Sequence, residues 1–163
     1  MSEPNIVPAG AGEALWFLDT LMQVKLGAES ARGTLAVFEQ LAPAGSATPM
    51  HRHDATDEYF YVLSGAVAFH GPSGVRRCEA GTFVSVPRGT AHAFRVTDDG
   101  PARLLVLSAP ATFERFVRAV SAPAPSATLP PAAAPPEPAV LAHLAALGAQ
   151  HDVILLGPPP PAT

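Results

Sequence analysis

The chain is poor in cysteine, in clustered basic residues and in long apolar runs, and each shortage excludes something. One cysteine, Cys78, among 163 residues leaves no partner for an internal disulfide. A reactive thiol needs a neighbouring base or cation to hold it as thiolate, so Cys78 is read as a strand residue without chemistry. Ten Lys and Arg stand against 14 Asp and Glu, for a formal net charge of −4. No basic stripe is present, which sets aside a nucleic-acid groove. No apolar run approaches the length of a membrane span. The start, Met1 to Asn5, lacks the basic-then-apolar order of a secretory signal. The expectation is a cytoplasmic protein without a nucleic-acid or membrane partner. With 48% hydrophobic residues, the length suits one core.

What is present divides the chain into three. Residues 1–33 form an N-terminal segment whose first dozen residues, with Pro4, Pro8, Gly10 and Gly12, should be loose. Ala14 to Leu26 is an apolar stretch whose periodicity allows a short helix but fits an added strand better. Residues 34–110 are a succession of short strands punctuated by Gly and Pro, the pattern of an all-β sandwich or barrel. Residues 111–163 change character. Apolar residues at 113, 116, 117 and 120 have helical spacing, and Thr112 is placed to cap that helix. A Pro/Ala tract over 121–138 should be extended and semi-rigid. A second short helix over Ala139–Gln150 and a strand over His151–Leu156 follow. These pieces cover the barrel, contact a second subunit, or form a tail of little consequence.

Four residues at informative spacings carry the chemistry. His51 and His53 are two apart, so in a strand both project from one face. The polar turn Asp54 to Asp57 resets the register, and Glu58 opens the next strand. If Glu58 points inward, so do Phe60 and Val62, while Tyr59, Tyr61 and Leu63 face a second apolar side that calls for its own cover. His92 follows a Pro87–Gly89 turn, with Phe94 and Val96 on its face. A barrel can bring both segments together, so three imidazoles and one carboxylate converge on one point. That ligand set suits one divalent transition metal among Fe, Mn, Co, Ni, Cu and Zn without choosing between them. Calcium and magnesium prefer all-oxygen shells. His70, His143 and His151 lack such support and are read as solvated or structural.

The two segments resemble the cupin signatures. The first pattern, G-x5-H-x-H-x4-E-x6-G, is matched completely from Gly45 to Gly65. The second, G-x5-P-x-G-x2-H-x3-N, is matched from Gly81 to His92, with Val96 where the pattern has Asn. That Asn is not a metal ligand in the pattern. The resemblance implies a double-stranded β-helix, or jelly-roll barrel, over residues 34–110, with His51, His53, Glu58 and His92 as metal ligands. A narrower likeness, from Ala109 to Phe116 with the Pro-rich segment and short helix after it, is to bacterial single-domain quercetinase-like cupins. In those enzymes the metal binds a flavonol and O2, and the ring is opened with release of carbon monoxide.

The resemblance therefore implies a metal-dependent dioxygenase for a phenolic or enolic small molecule, with O2 as candidate co-substrate. Glu58, the one ligand able to swing away and accept a proton, is the candidate catalytic base. Phe38, Met50, Phe60, Val62, Phe94 and Val96 are the candidate lining of an apolar substrate pocket, although small barrels are usually packed solid. The alternatives are a cupin cyclase or isomerase acting on a polyketide-like substrate, and a non-enzymatic small-molecule binder. The two-sided apolar strand at Tyr59 and Tyr61, the apolar stretch near Trp16 and the habit of the family point to a homodimer.

Overall fold

The computed structural model describes residues 3–132 and 137–162. Pro135 and Pro136 of the Pro/Ala tract, and the start at Met1 and Ser2, lie outside the described residues. Among the described residues, twelve strands and two helices follow in the order β1 (Glu13–Phe17), β2 (Thr20–Leu26), β3 (Ala36–Ala42), β4 (Met50–Arg52), β5 (Asp57–Ser64), β6 (Ala66–Gly71), β7 (Gly74–Glu79), β8 (Phe83–Val86), β9 (Ala93–Val96), β10 (Ala102–Ala109), α1 (Thr112–Val120), β11 (Ala122–Pro123), α2 (Pro138–Gln150) and β12 (Ile154–Gly157). All strand pairs are antiparallel.

Seven strands form one sheet in the order β11-β1-β2-β3-β10-β5-β8, and three form another in the order β7-β6-β9. A short β12-β4 ribbon joins the second sheet through bridges from Ala47 to Arg95 and from His51 to His92. The architecture is the all-β jelly roll expected from the sequence, with two short helices near its C-terminal end.

Alternation decides what fills the space between the sheets. In β3 and β10 every second residue is buried, including Phe38, Leu104 and Val106. Opposite them, β6 and β9 pair Val67 with Val96 and Phe69 with Phe94, all buried. Phe60 bridges the layers, its ring edge-on to Phe69 at 5.5 Å and to Phe94 at 6.1 Å. Val96 is thus a core residue, where an apolar side chain packs without leaving an amide to satisfy.

The N-terminal stretch divides where a single added strand was expected. The chain reverses after Phe17, with Leu18 at φ +57°, and gives the hairpin of β1 and β2. Leu18 is a poor advertisement for a turn, because left-handed backbone normally selects Gly, Asn or Asp. The expected strand over His151–Leu156 also moves. His151 and Asp152 form a turn, and β12 starts only at Ile154. Thr112 is the first residue of α1 rather than its cap. Ala111 holds the cap position without a side-chain bond, and the Thr112 hydroxyl pairs with Thr56 instead. Phe116 and Val117 of α1 enter the core, as their spacing predicts.

Within this one chain the outer face of β5 is only partly covered. Tyr59 stacks on Phe83 at 6.1 Å, but Tyr61 and Leu63 remain 39% and 43% exposed. Cys78 lies buried on β7, where burial pushes its thiol up and away from thiolate.

Candidate metal centre

The positions of the four ligand candidates follow from local structure. His51 sits on β4, His53 one residue beyond it, Glu58 on β5, and His92 immediately before β9. The backbones of His51 and His92 exchange both N–H···O bonds, at 3.0 and 2.8 Å. Gly89 N–H donates to the His53 carbonyl at 2.6 Å. Arg88 clamps Asp57, donating to Oδ1 from its backbone N–H at 2.8 Å and to Oδ2 from its guanidinium at 2.8 Å. Residues from the two separated sequence segments are thereby locked to one another. At the far end of β5, Gly65 has φ +74°, and an added Cβ would lie 2.5 Å from the Pro101 carbonyl oxygen. Only glycine fits there.

The side chains converge. One ligand atom from each of His51, His53, Glu58 and His92 lies within 4.8 Å of the others. His51 is 9% exposed and the other three at most 2%, so His51 is the least covered of the four. Each imidazole is held by its Nδ1, which donates to a backbone carbonyl: His51 to Pro49 at 2.9 Å, His92 to Thr90 at 3.0 Å, and His53 to Asp152 at 2.6 Å. A carbonyl can only accept, so each bond places the proton on Nδ1 and leaves Nε2 to face the centre. Glu58 Oε2 stands 3.0 Å from the Nε2 atoms of both His53 and His92.

This arrangement fits a cation. Without one, His53 Nε2 is buried with no hydrogen-bond partner, 3.0 Å from Glu58 Oε2. An orphaned buried nitrogen aimed at a carboxylate is costly alone and is satisfied by a metal ion. Burial, reinforced by His92, depresses the His51 pKa to about 4 and keeps that ring neutral. Burial works against charge on Glu58 as well, but His53 and His92 outweigh it and hold the carboxyl well below its usual range. Burial also opposes charge on His53, yet the Glu58 carboxylate prevails and its pKa is raised. An ionised carboxylate beside imidazoles is the donor set of a transition-metal site.

The six expected pocket residues are placed less openly. Phe38, Phe60, Val62, Phe94 and Val96 belong to the buried core, while Met50 on β4 is half-buried beside His51. Phe60 reaches the cluster edge-on, 6.2 Å from the His92 ring. Two rings missed in the sequence lie as close. Phe69 stacks on His92 at 5.9 Å, and Phe113 of α1 meets His53 edge-on at 5.9 Å. Phe69 could have been found by its alternation with Val67; Phe113 depends on how α1 docks. Two clefts of about 360 and 620 Å³ lie elsewhere, by Arg77 and Asp99 and by Lys25 and Arg118. His70, His143 and His151 take no part in the cluster.

Residues 37–108 match the family described as the cupin domain. This part of the chain is similar to a cupin domain. Over 120 residues the chain is 26% identical to quercetin 2,3-dioxygenase of Bacillus subtilis (strain 168), covering 74% of this chain and 35% of that protein. The chain thus spans about a third of that relative's length. Among solved structures, a predicted oxalate decarboxylase of Thermotoga maritima superposes with a TM-score of 0.58 at 19% identity, over 64% of this chain and 98% of the other. The polyketide cyclase RemF of Streptomyces resistomycificus superposes with a TM-score of 0.52 at 22% identity, over 61% and 68%. At these identities the two structures speak for the fold alone. No helix among the described residues is long and apolar enough to cross a membrane.

Proposed function

We propose that this cupin is a metal-dependent oxidoreductase of quercetinase type, a dioxygenase acting on a phenolic or enolic small molecule with O2. One observation carries the reading: three imidazoles, each anchored through Nδ1, turn their Nε2 atoms toward one ionised carboxylate. The likeness to quercetin 2,3-dioxygenase supports the reaction class. A divalent transition metal held by His51, His53, Glu58 and His92 supplies Lewis acidity, which eases proton loss from a phenolic or enolic hydroxyl.

The chain's own groups do the rest. Glu58 is the candidate general base; its Oε2 faces the imidazoles, and its Oε1 is outside those contacts. That role requires hydrogen-bond reach to the substrate hydroxyl. Phe60, Phe69 and Phe113 wall the cluster with apolar rings and exclude water from it. Substrate enters on the Met50 and His51 side, where the cover is thinnest. Phe38, Val62, Phe94 and Val96, all in the buried core, complete the proposed apolar lining. In this reading the protein works in the cytoplasm as a homodimer, with Tyr61, Leu63 and Phe83 at the subunit contact.

The test is O2 uptake by metal-loaded protein offered quercetin. Uptake that requires the flavonol and stops on chelation supports the proposal. Metal-loaded protein that is inert toward flavonols in air ends it. Turnover of an enolic or polyketide-like substrate that persists without O2 favours a cyclase or isomerase instead.

A further inference from the structure

Two of the three imidazole anchors are local, since Pro49 and Thr90 each lie two residues before the histidine they hold. The third is not. His53 is held by the carbonyl of Asp152, 99 residues away and beyond the matched cupin domain.

The same residue grips the loop between two ligands with its side chain. Asp152 Oδ1 accepts the N–H groups of Asp54 and Ala55 at 2.8 and 3.1 Å. Its Oδ2 accepts Ala55 N–H at 3.0 Å and the hydroxyl of buried Thr56 at 2.7 Å. These groups belong to three of the four residues between His53 and Glu58. Carbonyl and carboxylate of one residue thus fix the ring of one ligand and the approach to the next.

The tail is built to present this residue. α2 ends in a tight turn in which Gly148 O accepts the N–H groups of His151 and Val153 at 2.9 and 2.8 Å. The backbones pass so closely that a Cβ on Gly148 would lie 2.8 Å from Val153 O. Asp152 sits at φ +65° in that turn, a conformation Asp tolerates better than most residues. Beyond it, Val153 is buried, β12 pairs with β4 opposite His51, and Pro160 O accepts Arg95 Nε at 3.0 Å.

We propose that Asp152 is a positioning residue for the metal centre, and that the C-terminal segment completes the site by clasping the 53–58 loop. The proposal rests on the metal-binding reading above. Outer partners that orient ligating groups change metal affinity about 10- to 100-fold when lost.

The experiment measures Zn²⁺ affinity by competition with a chromophoric chelator, on full-length wild type, Asp152→Gly and Asp152→Asn. Melting of the metal-free proteins is followed in parallel. Glycine accepts the positive φ, so Asp152→Gly removes the carboxylate without straining the turn. Asparagine keeps one acceptor oxygen and the same backbone tolerance. Zn²⁺ affinity at least about tenfold weaker in Asp152→Gly, partly restored in Asp152→Asn, is the expected result. A variant that melts earlier but binds Zn²⁺ as wild type does overturns the proposal, because the clasp then serves the fold alone. Should Asp152→Gly fail to fold, Asp152→Asn is judged by the same affinity criterion. Wild type that binds no Zn²⁺ overturns the metal reading itself, which separates the two failures.

Discussion

Replacing Gly65 by alanine isolates a steric demand at the end of the strand that carries Glu58. Two costs combine there. The backbone has φ +74°, and holding an L-residue in that region costs about 1–2 kcal/mol. The new methyl would also lie 2.5 Å from Pro101 O and 2.9 Å from Ala102 Cα, both backbone atoms that cannot swing away. Relieving such overlap costs about 1–3 kcal/mol. Gly33 is the matched control. Its φ is +76°, but nothing lies within 4 Å of an added Cβ. Both substitutions stiffen the unfolded chain alike, which returns about 0.4–1 kcal/mol. Gly65→Ala should therefore lose about 2–4 kcal/mol and Gly33→Ala about 1 kcal/mol. For a chain of this size, melting should fall by about 4–16 °C in the first and about 2–4 °C in the second. Thermal denaturation of the two metal-free variants side by side gives the answer. Equal midpoints would refute the reasoning, since the crowding at Gly65 would then contribute nothing.

Other predictions concern the site and the surface. Acidifying the metal-free protein from pH 6.5 to 4 should destabilise it. The folded pKa of His51 is lowered to about 4 from 6.5, so the unfolded chain binds more protons in that window, at a cost of about 3 kcal/mol across it. Glu58, also lowered, adds to the loss as pH falls below 4.5. His53 is raised, so its contribution is complete below 6.5 and is lost only as pH rises. Denaturant midpoints that stay constant between those pH values would contradict this. Glu58→Gln removes the charge that faces His53 and His92 and should weaken metal binding by tenfold or more while leaving the far-UV circular dichroism unchanged. Adding metal should raise the melting temperature, and excess chelator should bring it back, because the ion binds only the folded arrangement. Light scattering should give twice the mass of one chain, and Phe83→Asp, which places a charge on the exposed apolar face, should give a single chain.

Much of this architecture was legible because its determinants are local. The alternation in β3, β5 and β10 assigns inner and outer faces residue by residue, and Phe38, Phe60 and Val106 lie where that alternation puts them. The grouping of His51, His53, Glu58 and His92 was readable from their spacing relative to turn glycines. What escaped depends on contacts between distant residues. Leu18 turns the chain only because β1 and β2 pair on either side of it. Thr112 forgoes capping because Thr56 offers its hydroxyl another partner. Asp152 carried no signal, since its role exists only once the tail has packed against β4. The pocket lining was less legible for a related reason. Alternation shows that Val62 and Val96 point inward, but not whether the interior leaves room for a ligand.

Metal analysis of tag-free protein, with His51→Ala and His92→Ala beside it, bears most directly on the whole account. The cluster predicts about one equivalent of a transition metal per wild-type chain and a clear loss in both variants, each still folded. A wild-type protein that takes up no metal, or variants that retain as much as wild type, would contradict it.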